Sequence, residues 1–204
     1  MITRNRPNLL SKFVKYWSST NIKIVIADGS GVRQNAEFGV NVDYFHLRNA
    51  SVLTRANFLS EKLNTKYFMF CADDDFVSIN GLKKSLFFLE KNKKFSGCQG
   101  RFLAITYFLN KPILRENSLQ YSHHNHIEDE NIFNRLVEVN NYPIVHYCYG
   151  VFTAPVLKVA NEIWKNTENI NKSEFLFEPV MSLASAIIGK FKMLNHFHCA
   201  RRPG

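Results

Sequence analysis

Asp73, Asp74 and Asp75 stand side by side directly after the apolar run Tyr67-Phe68-Met69-Phe70-Cys71-Ala72. Adjacent carboxylates repel, so the triplet is costly unless a cation or hydrogen-bond donors offset the charge. In extended backbone, side chains at i and i+2 share a face about 6.5–7 Å apart, which predicts that Asp73 and Asp75 face one pocket and Asp74 faces away. Hard divalent cations such as Mg²⁺ or Mn²⁺ take one or two carboxylates together with phosphate oxygens. The chemistry this spacing suits is the holding of a metal-bound nucleotide diphosphate; the structural alternative is an acidic loop capping the helix that begins near Ile79.

The segments that must position these acids alternate between two periodicities. Leu10, Phe13, Val14 and Trp17 recur at helical spacing after Pro7, a residue favoured in a first turn. Ile22 to Ala27 is a short β-rich run that ends in Asp28-Gly29-Ser30-Gly31, a strand followed by a turn. A helix is expected over Val52, Ala56, Leu59 and Leu63, then the strand that feeds the aspartates, then a helix over Leu82, Leu86 and Leu89. Further on, residues 98–107 read as a strand, 109–130 as a polar, irregular stretch, 132–139 as a helix and 144–152 as a strand. Val156 to Trp164 and Val180 to Ile188 read as the last two helices, the second stopped by Gly189, before a closing strand over residues 191–194. Strands alternating with helices imply an α/β fold with a mostly parallel, layered sheet, in which ligands sit beyond the carboxyl ends of the strands. Asp28 and the Asp73–Asp75 triplet fall on that rim.

The 204 residues, without repeats or a Pro/Gly-rich linker, suit one domain. The formal charge of +9 points to an acidic partner and does not choose among nucleic acid, anionic lipid and nucleotide diphosphate. Lys83, Lys84, Lys91, Lys93 and Lys94 cluster on and after one expected helix, a pattern that a solvated face also explains. Cys71, Cys98, Cys148 and Cys199 lie far apart in or beside apolar stretches, which reads as reduced, buried thiols of a cytoplasmic protein. There is no run long enough to span a bilayer, so association with a membrane surface would be peripheral. A recognition helix, an aromatic RNA-binding strand and zinc-finger spacing are all missing, so nucleic acid is not the expected partner. His123, His124 and His126 come without a fourth ligand at zinc spacing and read as a polar loop.

Taken in order, Thr3-Arg4-Asn5-Arg6-Pro7, Ile24-Val25-Ile26-Ala27-Asp28-Gly29-Ser30, Thr54-Arg55-Ala56-Asn57 and Tyr67 to Phe76 resemble bacterial family-2-like glycosyltransferases of the GT-A fold. The resemblance spans residues 2–89, loosens, and returns near residues 177–194. It implies a single GT-A domain over residues 1–204, with a nucleotide-sugar-binding half over about 1–100 and an acceptor-side half over about 101–204. It also implies a metal-dependent inverting sugar transfer using Mn²⁺ or Mg²⁺, from a nucleotide-diphosphate sugar to the hydroxyl of a glycan, lipid-linked or protein acceptor. Asp73 and Asp75 would form the D-x-D motif at the metal-diphosphate, Asp28 would contact the nucleotide base or ribose, and Arg55 would lie near the diphosphate.

Family members keep an acidic residue at the start of a late helix as base, which matches Glu178 before Pro179. The family more often has Glu-Asp there, whereas this chain has Phe177-Glu178, and Glu174 is the nearest rival. A His after the last core strand completes the metal shell in many GT-A enzymes. His198 is taken for that role, with His196 as the alternative, and Tyr149-Gly150 would lie near donor and acceptor. Two other readings compete: a sugar-nucleotide nucleotidyltransferase, which normally carries a Gly-rich phosphate loop where this chain has Arg4-Asn5-Arg6-Pro7-Asn8, and a basic nucleic-acid-binding module. A GT-A domain that binds without turnover is a third.

Overall fold

The computed structural model describes residues 1–35, 37–109, 111–116, 126–141, 148–167 and 176–201. The chain divides into two compact units: Met1–Asn64 with Phe70–Asp74 and Asn161–Phe177, and Thr65–Met69 with Asp75–Ala160 and Glu178–Gly204. The units interleave along the chain, and a division near residue 100 is not one of their boundaries.

The first unit carries β1 (Ile2–Thr3), α1 (Pro7–Trp17), β2 (Ile24–Asp28), β3 (Val42–His46) and α2 (Val52–Lys62). Its sheet runs β1-β2-β3, both pairings parallel, with Thr3, Asp28 and His46 in register at the carboxyl ends. All five residues of β2 are buried, as a central parallel strand requires. Pro at the start of α1 and Ser51 capping α2 through the Thr54 amide fix where these helices begin. Trp164 is fully buried and stacks on Phe177 at 5.4 Å, with Phe70 edge-on to Phe177 at 4.9 Å.

The second unit is built on a six-stranded sheet ordered β4-β8-β6-β9-β5, with β7 paired to β6. Its strands are β4 (Tyr67–Met69), β5 (Asp75–Val77), β6 (Phe95–Phe108), β7 (Lys111–Glu116), β8 (Val151–Thr153) and β9 (Lys190–Arg201). Among the described residues only β6 and β9 pair in parallel; the other four pairings are antiparallel. The mostly parallel sheet expected from the sequence therefore holds for the first unit and fails for the second. The reason is visible at β4: its apolar run pairs antiparallel with β8 over three residues. α3 (Ile79–Lys91) and α4 (Ile132–Asn141) belong to this unit, α5 (Ala154–Thr167) crosses from it to the first at residue 160, and α6 (Phe177–Ile188) begins at a crossing. Gly97 and Gly150 leave room for rings: a Cβ on Gly97 would lie 2.6 Å from Phe152, and one on Gly150 would lie 3.0 Å from Phe191. Those rings form the centre of this unit's core.

No helix among the described residues is long and apolar enough to cross a membrane. The four cysteines are free thiols, three of them buried.

Candidate functional site

In the first unit, the rim of the parallel sheet is occupied by a closed hydrogen-bond network. Asp28 is fully buried, and its Oδ1 accepts from the Ser30 amide at 2.8 Å and hydroxyl at 2.5 Å. Its Oδ2 accepts from the Tyr44 hydroxyl at 2.5 Å. Burial, and then the bond to Asp28, push the Tyr44 phenol up to about 12. Tyr44 is sandwiched, with Phe38 stacked at 4.4 Å and the Arg33 guanidinium 5.4 Å from its ring. Asp28 thus organises the turn after β2 and holds Tyr44; the ligand contact expected of its carboxylate is not open in this arrangement.

Arg55 behaves in the same way. Only 2% exposed, it donates from Nη1 to the Thr3 carbonyl at 2.6 Å and from Nε to the Ser51 carbonyl at 3.1 Å. Gly29 is what lets it pass, because a Cβ there would lie 2.9 Å from Arg55 Nε. The buried guanidinium clamps the end of β1 to the start of α2, and Thr3 in turn donates from its hydroxyl to Asp73 Oδ2 at 2.5 Å.

The cation presented at Asp73 is Arg6, which the sequence reading did not assign. Its Nη1 lies 2.9 Å from Asp73 Oδ1 and 3.0 Å from Asp74 Oδ2, and its side chain is 50% exposed. The hydrogen bond from Arg6 to Asp73, and then the carboxylate's charge, raise the guanidinium's already high pKa. Residues 73 and 74 lie in a turn, not a strand. The alternation that was to aim Asp73 and Asp75 together and Asp74 away needs extended backbone, so it does not hold: Asp73 and Asp74 share one arginine. The only signal for Arg6 was its place in the Arg4-Asn5-Arg6-Pro7 segment after the first strand.

In the second unit, Asp75 opens β5 in register with Arg201 at the end of β9. The guanidinium grips the carboxylate as a fork, Nε to Oδ1 and Nη2 to Oδ2, both at 2.7 Å. Desolvation works to lower the Arg201 pKa, and the hydrogen bonds and charge of Asp75 more than offset it, so the net direction is up. The same guanidinium lies 4.1 Å from the Tyr149 ring centroid, and the Tyr149 hydroxyl donates to Glu178 Oε1 at 3.1 Å. Glu178 sits in the first turn of α6. Burial raises its pKa against the lowering pull of Tyr149 and Arg201, the direction that makes a carboxylate a better proton acceptor. Glu174, His123 and His124 lie outside the described residues.

His198 is fully buried and lies within β9, not after it. Its Nε2 donates to the Tyr149 carbonyl at 2.9 Å, and Nδ1 has no hydrogen-bond partner among the described residues. Burial holds its pKa down at about 4, with the Tyr149 carbonyl pulling the other way. His196 is partly exposed, 3.3 Å from the Ser85 hydroxyl. His126 pairs with Glu128 at 3.6 Å. As they stand these donors do not fit a cation. Asp73 is engaged by Thr3 and Arg6, Asp75 by Arg201, and no group of three His, Cys, Asp or Glu among the described residues converges on one point.

Because the folded state disfavours protonating His198, its contribution to stability is complete above the ordinary imidazole value near 6.5 and is lost as pH falls toward 4. The expected loss over that window is on the order of 3 kcal/mol. Urea unfolding at pH 7 and pH 4.5 measures it, and His198→Gln should flatten this part of the dependence; an equal slope in that variant refutes the assignment.

No family model matches the chain, and no curated protein sequence matches it. Among solved structures it is similar to S. aureus TarS. The TM-score is 0.61 at 11% identity for TarS 1-349, over 98% of this chain and 59% of that one. A second TarS structure gives 0.64 at 12% identity, over 99% of this chain and 36% of that one. TarS 1-349 in complex with UDP-GlcNAc gives 0.63 at 10% identity, over 100% and 58%. The chain spans less than two thirds of the length of these TarS chains. The likeness shows the fold alone: a mixed α/β arrangement with a central sheet and flanking helices, shared with these TarS structures.

Proposed function

We propose that the protein is a glycosyltransferase that moves a sugar from a nucleotide-diphosphate donor to an acceptor hydroxyl with inversion. The observation that carries this reading is Glu178: a half-buried carboxylate at a helix start, raised in pKa by burial and held by Tyr149, in a chain with the fold of TarS. In the proposed reaction the acceptor oxygen bonds to the anomeric carbon as the bond from that carbon to the diphosphate oxygen breaks. The hydroxyl proton passes to Glu178, and the electron pair of the broken bond leaves with the nucleoside diphosphate. In the first unit Arg6 is the half-exposed cation at the sheet rim, and guanidinium suits phosphate oxygens.

UDP-GlcNAc is the first donor to test, because TarS has been crystallised with it. A Mn²⁺ or Mg²⁺ requirement belongs to the same proposal, and a cation at Asp73 would have to displace Arg6. Thermal shift against a nucleotide-sugar panel, with Mn²⁺, Mg²⁺ or chelator, tests the reading directly. A ligand at 100 times its Kd should stabilise by about 2.7 kcal/mol. Release of nucleoside diphosphate supports transfer. Release of pyrophosphate would indicate nucleotidyl transfer instead, and a panel in which no donor raises the melting temperature would overturn the reading.

A further inference from the structure

We propose that Tyr149 is a positioning residue that fixes Glu178 and Arg201 as one unit, so that the Asp75–Arg201 pair and the base act together. The inference rests on the reading of Glu178 as base and adds the residue that aims it.

Tyr149 is pinned at every part of its structure. Its carbonyl accepts from His198 Nε2 at 2.9 Å, and His198 is itself fully buried. The chain immediately after it is pressed into the core, since a Cβ at Gly150 would lie 3.0 Å from both the Cys98 carbonyl and the Phe191 ring. The face of its ring carries the Arg201 guanidinium at 4.1 Å, and Arg201 cannot swing away without giving up two 2.7 Å bonds to Asp75. Phe102 closes around the group, 6.0 Å from the Tyr149 ring and 5.8 Å from that of His198. The hydroxyl is therefore placed by the fold and not by Glu178. A glutamate side chain in a first helical turn has several rotamers within reach, and one fixed donor at 3.1 Å selects among them. Burial raises the phenol's own pKa, so the hydroxyl remains a donor across the working range.

The groups acting on Glu178 are Tyr149, Arg201 and Cys148, whose hydrogen bonds and charge favour its ionised form, and Asp75, whose charge disfavours it. Tyr149→Phe removes the hydroxyl and keeps the ring under Arg201. The Glu178 carboxyl should then rise further, and since the base must be ionised, the acid limb of the transfer profile should move to higher pH. Transfer on that limb should fall roughly tenfold, the loss shrinking as pH rises, with the donor's KM unchanged. A merely structural role would not move the limb. In the unmutated protein, the ¹³Cζ resonance of Tyr149 should shift with the same pH midpoint as transfer, a measurement that does not depend on the variant folding.

Glu178→Gln run in parallel separates the two readings. If Glu178→Gln is inactive while Tyr149→Phe keeps the wild-type profile, or the Tyr149 resonance ignores that midpoint, the positioning role is overturned and the base stands. If Glu178→Gln turns over normally, the base reading itself fails.

Discussion

Glu178→Gln is expected to lower sugar transfer by about 10²–10⁴-fold, the range a general base contributes, while nucleotide-sugar binding stays intact. The amide keeps the shape of the carboxyl and can still meet the Tyr149 hydroxyl, so the helix start is preserved and the change isolates proton acceptance. In the unaltered protein the rate should rise with pH through the Glu178 pKa, because only the ionised form accepts the proton. Burial, the largest influence on that group, places the rise above the ordinary glutamate value. The glutamine variant should lose the rise as well as the rate. Single-turnover transfer with donor affinity measured separately checks both. Unchanged turnover would hand the role to Glu174.

The second large effect concerns stability. The Asp75 side chain is 1% exposed and that of Arg201 is 21% exposed, and they are joined in a fork at 2.7 Å. Removing one partner of a buried pair strands the other charge, which costs about 3–5 kcal/mol, whereas replacing both by apolar groups of similar size is far milder. Arg201→Ala should therefore destabilise by about 3–5 kcal/mol, more than Asp75→Ala, because it strands the more deeply buried charge. Asp75→Leu with Arg201→Met should recover most of the loss. A double-mutant cycle by urea denaturation reads the coupling directly. If both single variants unfold within the error of the wild type, the pair is not what holds β5 to β9.

Arg6 and Arg201 mark the boundary of what the sequence could disclose. Helices were legible because their evidence is local: the apolar stripes of α1, α2, α3 and α6 repeat within a few residues, and Pro7 and Gly189 punctuate them. The strands β3, β5 and β7 were not, since each is short and half-exposed or follows turn-forming residues, and a three-residue strand has no period to detect. Strand direction was inferred from an apolar run that a buried antiparallel strand shows equally well, which is why β4 was misread. The acidic rim was found by residue type, but its geometry depended on partners far along the chain. Arg6 meets Asp73 across 67 positions and Arg201 meets Asp75 across 126. No window of sequence holds such a pair. Asp28 was singled out at a strand end on the rim and Arg55 through the family resemblance, and burial, which composition does not report, engages both in internal hydrogen bonds.

The order in which the chain leaves the ribosome has a consequence for its assembly. Phe70 finds its aromatic partners Trp164 and Phe177 only in a stretch supplied long after the parallel sheet has been made. An amino-terminal piece ending before that stretch would carry every strand of the sheet and still leave a large ring without its cover. The core of the first unit should accordingly close late in synthesis, after loop-closure entropy has been overcome across most of the polypeptide, and a truncation placed between Ala160 and Phe177 should behave as a molten fragment, not as a smaller folded domain.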